Sequence, residues 1–244
     1  MRGAGQGLRF NIAASHSAFI LGNHEPEVQE LLASVLWPGM TYFDVGANVG
    51  FFAVIAARLV GASGHVVCFE PLPSNAAQIE YNARLNDFAN VTVRCEALGG
   101  SIRTDVFNTS QEPTWGMLST VGKLPVQVSG QIQVQVQTLD SLCTAGSVLP
   151  FPDVVQVDIE GAEAEFLEGA WQTLSASRPV LVIELHGTNQ AVTEILDRLG
   201  YVYAVLGSSI SVQEVPYDAN IVAIPQERHD LIELARLEGR TALS

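Results

Sequence analysis

The chain has 244 residues, 48% hydrophobic and 16% charged, with a formal net charge of −14. That length buries a full core, and that composition excludes a disordered chain. The negative balance, with a single lysine (Lys123) and no basic cluster, repels nucleic-acid phosphates and anionic lipid heads, so a neutral or cationic small molecule is the expected ligand.

The longest uninterrupted apolar run, Phe51 to Ala57, is seven residues, far short of a membrane span. Arg2 and Arg9 precede no clean apolar segment, because Ser15, His16 and Ser17 interrupt it. The expectation is a cytoplasmic chain without a secretory leader. Cys68, Cys95 and Cys143 are odd in number and lack metal-ligand spacing; they are expected as small buried core residues.

Hydrophobic spacing outlines the elements in order. Val28, Leu31, Leu32, Val35 and Leu36 form a helical stripe that Trp37-Pro38-Gly39 ends. A strand is predicted over 41–45, an apolar helix over 51–60, a turn over 61–64 and a second strand over 65–69. A helix over 73–86 and a third strand over 91–95 follow. Strand and helix alternate at roughly 25 residues per unit, which implies right-handed crossovers and a parallel α/β sheet. Residues 99–137 break the pattern. "QIQVQVQ" puts Ile132, Val134 and Val136 on one face and glutamines on the other, a half-exposed antiparallel strand in a β-hairpin insertion. "SQEPTWGMLST" before it reads as loop. Alternation resumes with a strand ending at Asp158. A helix follows, with Phe166, Leu167, Ala170, Trp171 and Leu174 inward. A strand then ends at Glu184 to His186, and Val192, Ile195, Leu196 and Leu199 mark another helix. Gly200–Leu206 and Ala219–Ile224 form a closing hairpin, and a polar helix over Glu227–Leu237 ends the chain. One domain over 1–244 is expected: a cap segment (1–39), a cofactor-binding half (40–98), the insertion (99–137), the second half of the sheet (138–225) and a tail (226–244).

Asp44, Glu70, Asp158, Glu184 and His186 end successive strands. In a parallel sheet those ends share one edge, where ligands bind. Gly46-Ala47-Asn48-Val49-Gly50 follows Asp44 and lets the backbone turn tightly beside a ligand. Glu70, twenty residues past Gly50, is placed to accept ribose hydroxyls. Asn48 occupies the middle-glycine position that a dinucleotide pyrophosphate needs, and Asp44 repels phosphate. Both disfavour a nicotinamide cofactor. S-adenosylmethionine has no phosphate, and its cationic ammonium and sulfonium suit these acids.

"FDVGANVGFFAVIAA", "VVCFEPLPSNAAQIEYNARLN", "NVTVRCEALGG", "QTLDSL", "VDIEGAEAEFLEGA" and "PVLVIELH" stand in one order over roughly residues 40 to 206. In this the chain resembles FkbM-family S-adenosylmethionine-dependent methyltransferases. The resemblance implies the class I (Rossmann-like) methyltransferase fold, a seven-stranded mixed sheet with helices on both faces and its last strand antiparallel. It also implies methylation of a hydroxyl on a small molecule, such as a sugar or polyketide-like natural product. The family often has lysine two residues before the aspartate of D-x-E-G; here Gln156 stands there.

Asp44, Gly46, Ala47, Asn48 and Gly50 are expected to cradle the methionine end, Glu70 and Pro71 the ribose, and Glu96 and Ala97 the adenine. Asp158, which also borders the cofactor, and Glu160 are candidates at the reaction centre; Glu160 and Glu163 also suit a helix N-terminus, where negative charge is stabilised. His186 is a candidate general base, since imidazole titrates near neutrality. Asp158, Glu184 and His186 alternatively form a divalent-metal set. Trp115, Met117 and Ser119, with His16 and His24 upstream, are expected to cover the acceptor. A nicotinamide oxidoreductase and a non-catalytic nucleoside-binding protein on the same scaffold are the competing readings.

Overall fold

The computed structural model describes residues 3–11, 19, 21–110, 116–121, 128–144, 149–215 and 217–231. His16, Trp115 and the tail beyond residue 231 lie outside them. A helix α1 (Pro26–Val35) precedes β1 (Thr41–Val45), α2 (Phe51–Val60), β2 (His65–Phe69), α3 (Pro73–Leu85) and β3 (Val91–Arg94). Next come β4 (Ala97–Leu98), β5 (Arg103–Ser110), β6 (Gly116–Leu118), β7 (Val128–Gln137) and the short helix α4 (Leu139–Leu142). The chain continues through β8 (Val154–Val157), α5 (Glu163–Gly169), α6 (Trp171–Ser177), β9 (Val180–Leu185), α7 (Asn189–Leu199), β10 (Tyr201–Val205) and β11 (Ala219–Pro225).

Seven strands form the main sheet in the order β10-β11-β9-β8-β1-β2-β3. β11 runs antiparallel to both its neighbours, and the other pairs are parallel. Every residue of β1 is buried, as expected of a central strand covered on both faces. Alternation sends Tyr42 into one core with Leu32, Ile55 and Val60, and Phe43 and Val45 into the other with Phe166, Leu167 and Leu181. Asp44 therefore shares Tyr42's face, beneath α2. Gln156 is buried too and accepts a hydrogen bond from the Tyr42 hydroxyl at 2.7 Å.

The insertion is a sheet of its own, β4-β7-β5-β6. β7 is the alternating strand expected from "QIQVQVQ", paired antiparallel with β5. The stretch read as loop contains β6, which pairs with β5 and buries Met117 and Leu118. Only three residues long, β6 is too short for a visible alternation.

The helix expected after Asp158 is broken at Ala170 into α5 and α6. Asp140 supplies the reason: its carboxylate accepts the amides of Gln172 and Thr173, at 3.0 and 2.7 Å, satisfying the open N–H groups of α6. Cys68 and Cys143 are buried, but Cys95 is exposed because β3 stops at Arg94. Among the described residues, no helix is long and apolar enough to cross a membrane.

Candidate active site

The carboxyl ends of β1, β2 and β8 open onto a cavity. Val45, Gly46 and Asn48 line it from the first turn, and Phe69, Glu70, Pro71, Leu72 and Asn75 from the second. Asp158, Ile159, Glu160 and Ala162 line it from beyond β8, and Ala97 and Leu98 from β4. The second sheet adds Phe107, Gly116 and Leu118.

The first turn is built for close approach. Gly46 has φ +85, and a Cβ there would fall 1.8 Å from the Asp158 carbonyl oxygen. Only glycine fits between the two strand ends. Gly50, at φ +83, starts α2. Asn48 is left-handed at φ 51, a conformation asparagine tolerates better than most residues. From α3, the buried Asn82 donates to the Val49 carbonyl at 2.8 Å and pins the turn from outside.

Glu70 ties the first turn to the second. It accepts the Asn48 amide and the Leu72 amide, each at 2.9 Å. Burial pushes its carboxyl up to about 8, against the pull of those amides and of the Asn75 side chain. Asp44 is pushed up to about 7 by burial, opposed by the Ala53 amide, and its Oδ2 is buried without a hydrogen-bond partner. Of the predicted cradle, Gly46 and Asn48 line the cavity, while Asp44, Ala47 and Gly50 sit behind it. Pro71 and Ala97 line it as well. Glu96 does not; its carboxylate pairs with Arg94 at 2.9 Å.

The other end holds the remaining acids. The Asp158 side chain is 39% exposed and that of Glu160 15%. Glu160 is left-handed at φ 51, and its Oε2 is buried without a hydrogen bond. Burial, then the carboxylates of Glu184, Glu25 and Glu160, push Asp158 well above the usual carboxylate range. Glu184 rises to about 7 from burial and Glu25, with His186 opposing. Glu160 is raised by burial, against His186 and with Asp218 and Glu163.

His186 lies behind this wall, its side chain 3% exposed and not among the lining groups. Its Nε2 is 3.6 Å from Glu160 and 3.9 Å from Asp158. Its Nδ1 is 2.9 Å from Oε1 of Glu163, whose side chain is fully buried. Glu163 also accepts the Gly161 amide and the Thr188 hydroxyl, each at 2.7 Å. Burial alone would lower the imidazole, but Glu163, Glu160 and Glu184 outweigh it and lift His186 to about 9. The near-neutral value expected from sequence is therefore displaced upward. One ligand atom each from Asp158, Glu184 and His186 lie within 4.8 Å of one another, an N/O set of the kind divalent ions accept.

The expected cover differs in detail. Alternation turns Gly116 and Leu118 toward the cavity and Met117 away, and Ser119 donates to Asp105 instead. His24 packs among Phe19, Phe51 and Phe52 and does not line the cavity. Sequence reasoning missed Asn75, Leu72, Phe107 and Leu118. Asn75 stands in the first turn of α3 with no motif of its own, and no one-strand pattern shows which side of an insertion faces a cavity.

A family model described as the Methyltransferase FkbM domain matches residues 44–203. The hexuronic acid methyltransferase AglP of Haloferax volcanii is 30% identical over 162 residues, covering 66% of this chain and 62% of that protein. The chain thus spans less than two thirds of that relative. A methyltransferase FkbM from Methylobacillus flagellatus KT superposes with TM-score 0.52 at 15% identity, over 86% of this chain and 55% of that one. An S-adenosylmethionine-dependent O-methyltransferase from Thermotoga maritima gives TM-score 0.52 at 16% identity, over 82% and 65%. The class I methyltransferase sheet is common to this chain and the two solved structures. The cavity's own features fit S-adenosylmethionine: a turn no side chain can enter, a buried acid with an open oxygen beneath it, and, among the described residues, no cationic side chain in the lining. With its family model matched over more than half its length, this chain belongs to the FkbM family of S-adenosylmethionine-dependent methyltransferases.

Proposed function

We propose that the protein methylates a hydroxyl oxygen of a small polyhydroxylated acceptor, a sugar being the first choice. The observation that carries this reading is the asymmetry of the cavity. One end offers Glu70 and apolar walls to a nucleoside, and the other offers Asp158 and Glu160 to a hydroxyl. The relative named for hexuronic acid supports a sugar acceptor.

Bound S-adenosylmethionine supplies an electrophilic methyl group. Glu70 would accept the ribose hydroxyls, the turn at Gly46 and Asn48 would hold the methionine end above Asp44, and Pro71, Ala97 and Leu98 would border the adenine. Asp158, the more exposed acid, would take the acceptor's proton as its oxygen attacks. A carboxylate whose proton affinity is raised is the stronger base. His186, held by Glu163, would be the cation that opposes the rise of Glu160 and Glu184 in an acid-crowded site. It acts from behind the wall and does not itself meet the acceptor.

A release assay for S-adenosylhomocysteine over a panel of sugars and hydroxylated natural products tests the reaction. Product formed with a neutral sugar supports it; product formed only with amine or thiol acceptors refutes it. The convergence of Asp158, Glu184 and His186 favours one second reading, a divalent ion that orients acceptor oxygens. In that case a chelator abolishes turnover and added Mg²⁺ or Mn²⁺ restores it.

A further inference from the structure

One face of the second sheet carries an apolar cluster beside the Arg103–Asp105 ion pair. Ala97 pairs with Val136, and Phe107 sits opposite Ile132 on one side and Leu118 on the other. Directly opposed residues share a face of a sheet. Ala97, Leu118, Val134 and Val136 are buried there together, with Phe107, Val121 and Ile132 packed against them. Of this face, Ala97, Phe107 and Leu118 reach the cavity.

Gly116 carries a second, independent mark. A Cβ at this position would fall 2.3 Å from Cε1 and 2.4 Å from Cζ of Phe107. The phenyl ring lies across the backbone of β6 at the one place where no side chain stands. Its φ is not in the left-handed region that favours glycine, so the backbone does not demand glycine here. The ring does.

We propose that the second sheet is a working wall of the cofactor site: Phe107 and Leu118 pack on the nucleoside of S-adenosylmethionine, and Gly116 is the space that lets Phe107 do so. The occupant follows from chemistry and place. Ala97 and Leu98 directly continue the chain from β3, beside the β2 end that carries Glu70, Pro71 and Leu72, and all of these line the one cavity. A phenyl ring with leucine and alanine beside it suits a flat heteroaromatic base. A polyhydroxylated acceptor is better met by Asp158 and Glu160. The insertion thus serves the cofactor, where sequence alone had it covering the acceptor. This inference rests on the S-adenosylmethionine reading and is independent of what the acceptor is.

The test needs only binding. S-adenosylhomocysteine and adenosine are titrated calorimetrically into the wild-type chain and into Phe107→Ala, Gly116→Ala and Ile132→Ala. Ile132 belongs to the same apolar face but does not line the cavity, so its variant reports what loosening the sheet does by itself. Circular dichroism and thermal melting verify that each variant is folded. Loss of an aromatic contact to a base predicts weakening of about 5- to 100-fold for Phe107→Ala. That factor should be similar for adenosine and S-adenosylhomocysteine, because both carry the base. Gly116→Ala should weaken both ligands as well, and Ile132→Ala should leave them within about twofold. Wild-type affinity in folded Phe107→Ala and Gly116→Ala would overturn the proposal, as would an equal loss in all three variants. Failure of the wild-type chain to bind S-adenosylhomocysteine would instead overturn the cofactor reading beneath it.

Discussion

Glu70, at the end of β2, and Asp158, at the end of β8, line the same cavity in opposite surroundings. Glu70 is buried, and each of its oxygens accepts a backbone amide. Asp158 is partly exposed, and its near neighbours are other carboxylates with one imidazole behind them. The first arrangement is rigid and prepaid: backbone donors cannot titrate or swing away. The second is a set of side chains whose protons are shared, so its charge can change during a reaction. In the proposed function this contrast separates a binding acid, Glu70, from a reacting acid, Asp158, although both end a parallel strand.

The contrast is broken most severely at Asp158. Asp158→Asn should lower kcat by about 10²–10⁴, the usual contribution of a general base, while S-adenosylhomocysteine affinity changes by only a few-fold. Steady-state kinetics beside calorimetry separate the two effects. A variant with near-wild-type turnover would shift the base to Glu160. Glu70→Ala should do the reverse. Loss of charge-assisted hydrogen bonds worth roughly 1.5–3 kcal/mol predicts about 10- to 150-fold weaker cofactor binding. An unchanged affinity in the folded variant would remove Glu70 from the site.

Glu163→Gln sharpens the contrast from behind. It keeps the shape but removes the charge that faces Nδ1 of His186. The expected result is a kcat about ten- to a hundred-fold lower, an altered pH–rate profile and unchanged cofactor affinity. The pH profile is the readout that a purely structural loss would not move.

The smallest effect is on pH dependence without an acceptor. Asp44 and Glu70 have folded values of about 7 and about 8, above their ordinary 3.8 and 4.5. Between those limits the folded chain holds protons that the unfolded chain has released. The two groups therefore favour folding at low pH, and that contribution is lost as pH rises through the window. The melting temperature of the free protein should fall from about pH 5 to about pH 8. Ribose hydroxyls and a cationic ammonium favour the ionised acids, so cofactor affinity should rise over the same range. Saturating S-adenosylhomocysteine should then reduce the fall in melting temperature. An equal fall with and without ligand would contradict the placement of these acids.

The sheet and the cavity at its edge were legible because they rest on local pattern. Asp44, Gly46 and Glu70 stand at fixed distances along the chain, and strand burial repeats with period two. The break at Ala170 was not legible, because the acid that caps α6 is Asp140, from a helix far upstream. Glu163 was readable only as a helix-terminal acid. Its contact with His186 spans 23 residues and two elements. His186 drew attention as an imidazole at a strand end, yet its raised protonation depends not only on Glu184, two residues away, but on Glu160 and Glu163 from the stretch after β8. Phe107 and Leu118 gave no signal at all, since nothing in a strand's own alternation shows which of its faces borders a cavity.

The most direct test is a crystal structure with S-adenosylhomocysteine bound. The division of labour argued above places both ribose hydroxyls within hydrogen-bonding distance of Glu70, the adenine against Phe107 and Leu118, and the sulfur toward Asp158. A ligand with its ribose away from Glu70, or its sulfur turned from Asp158, would contradict it.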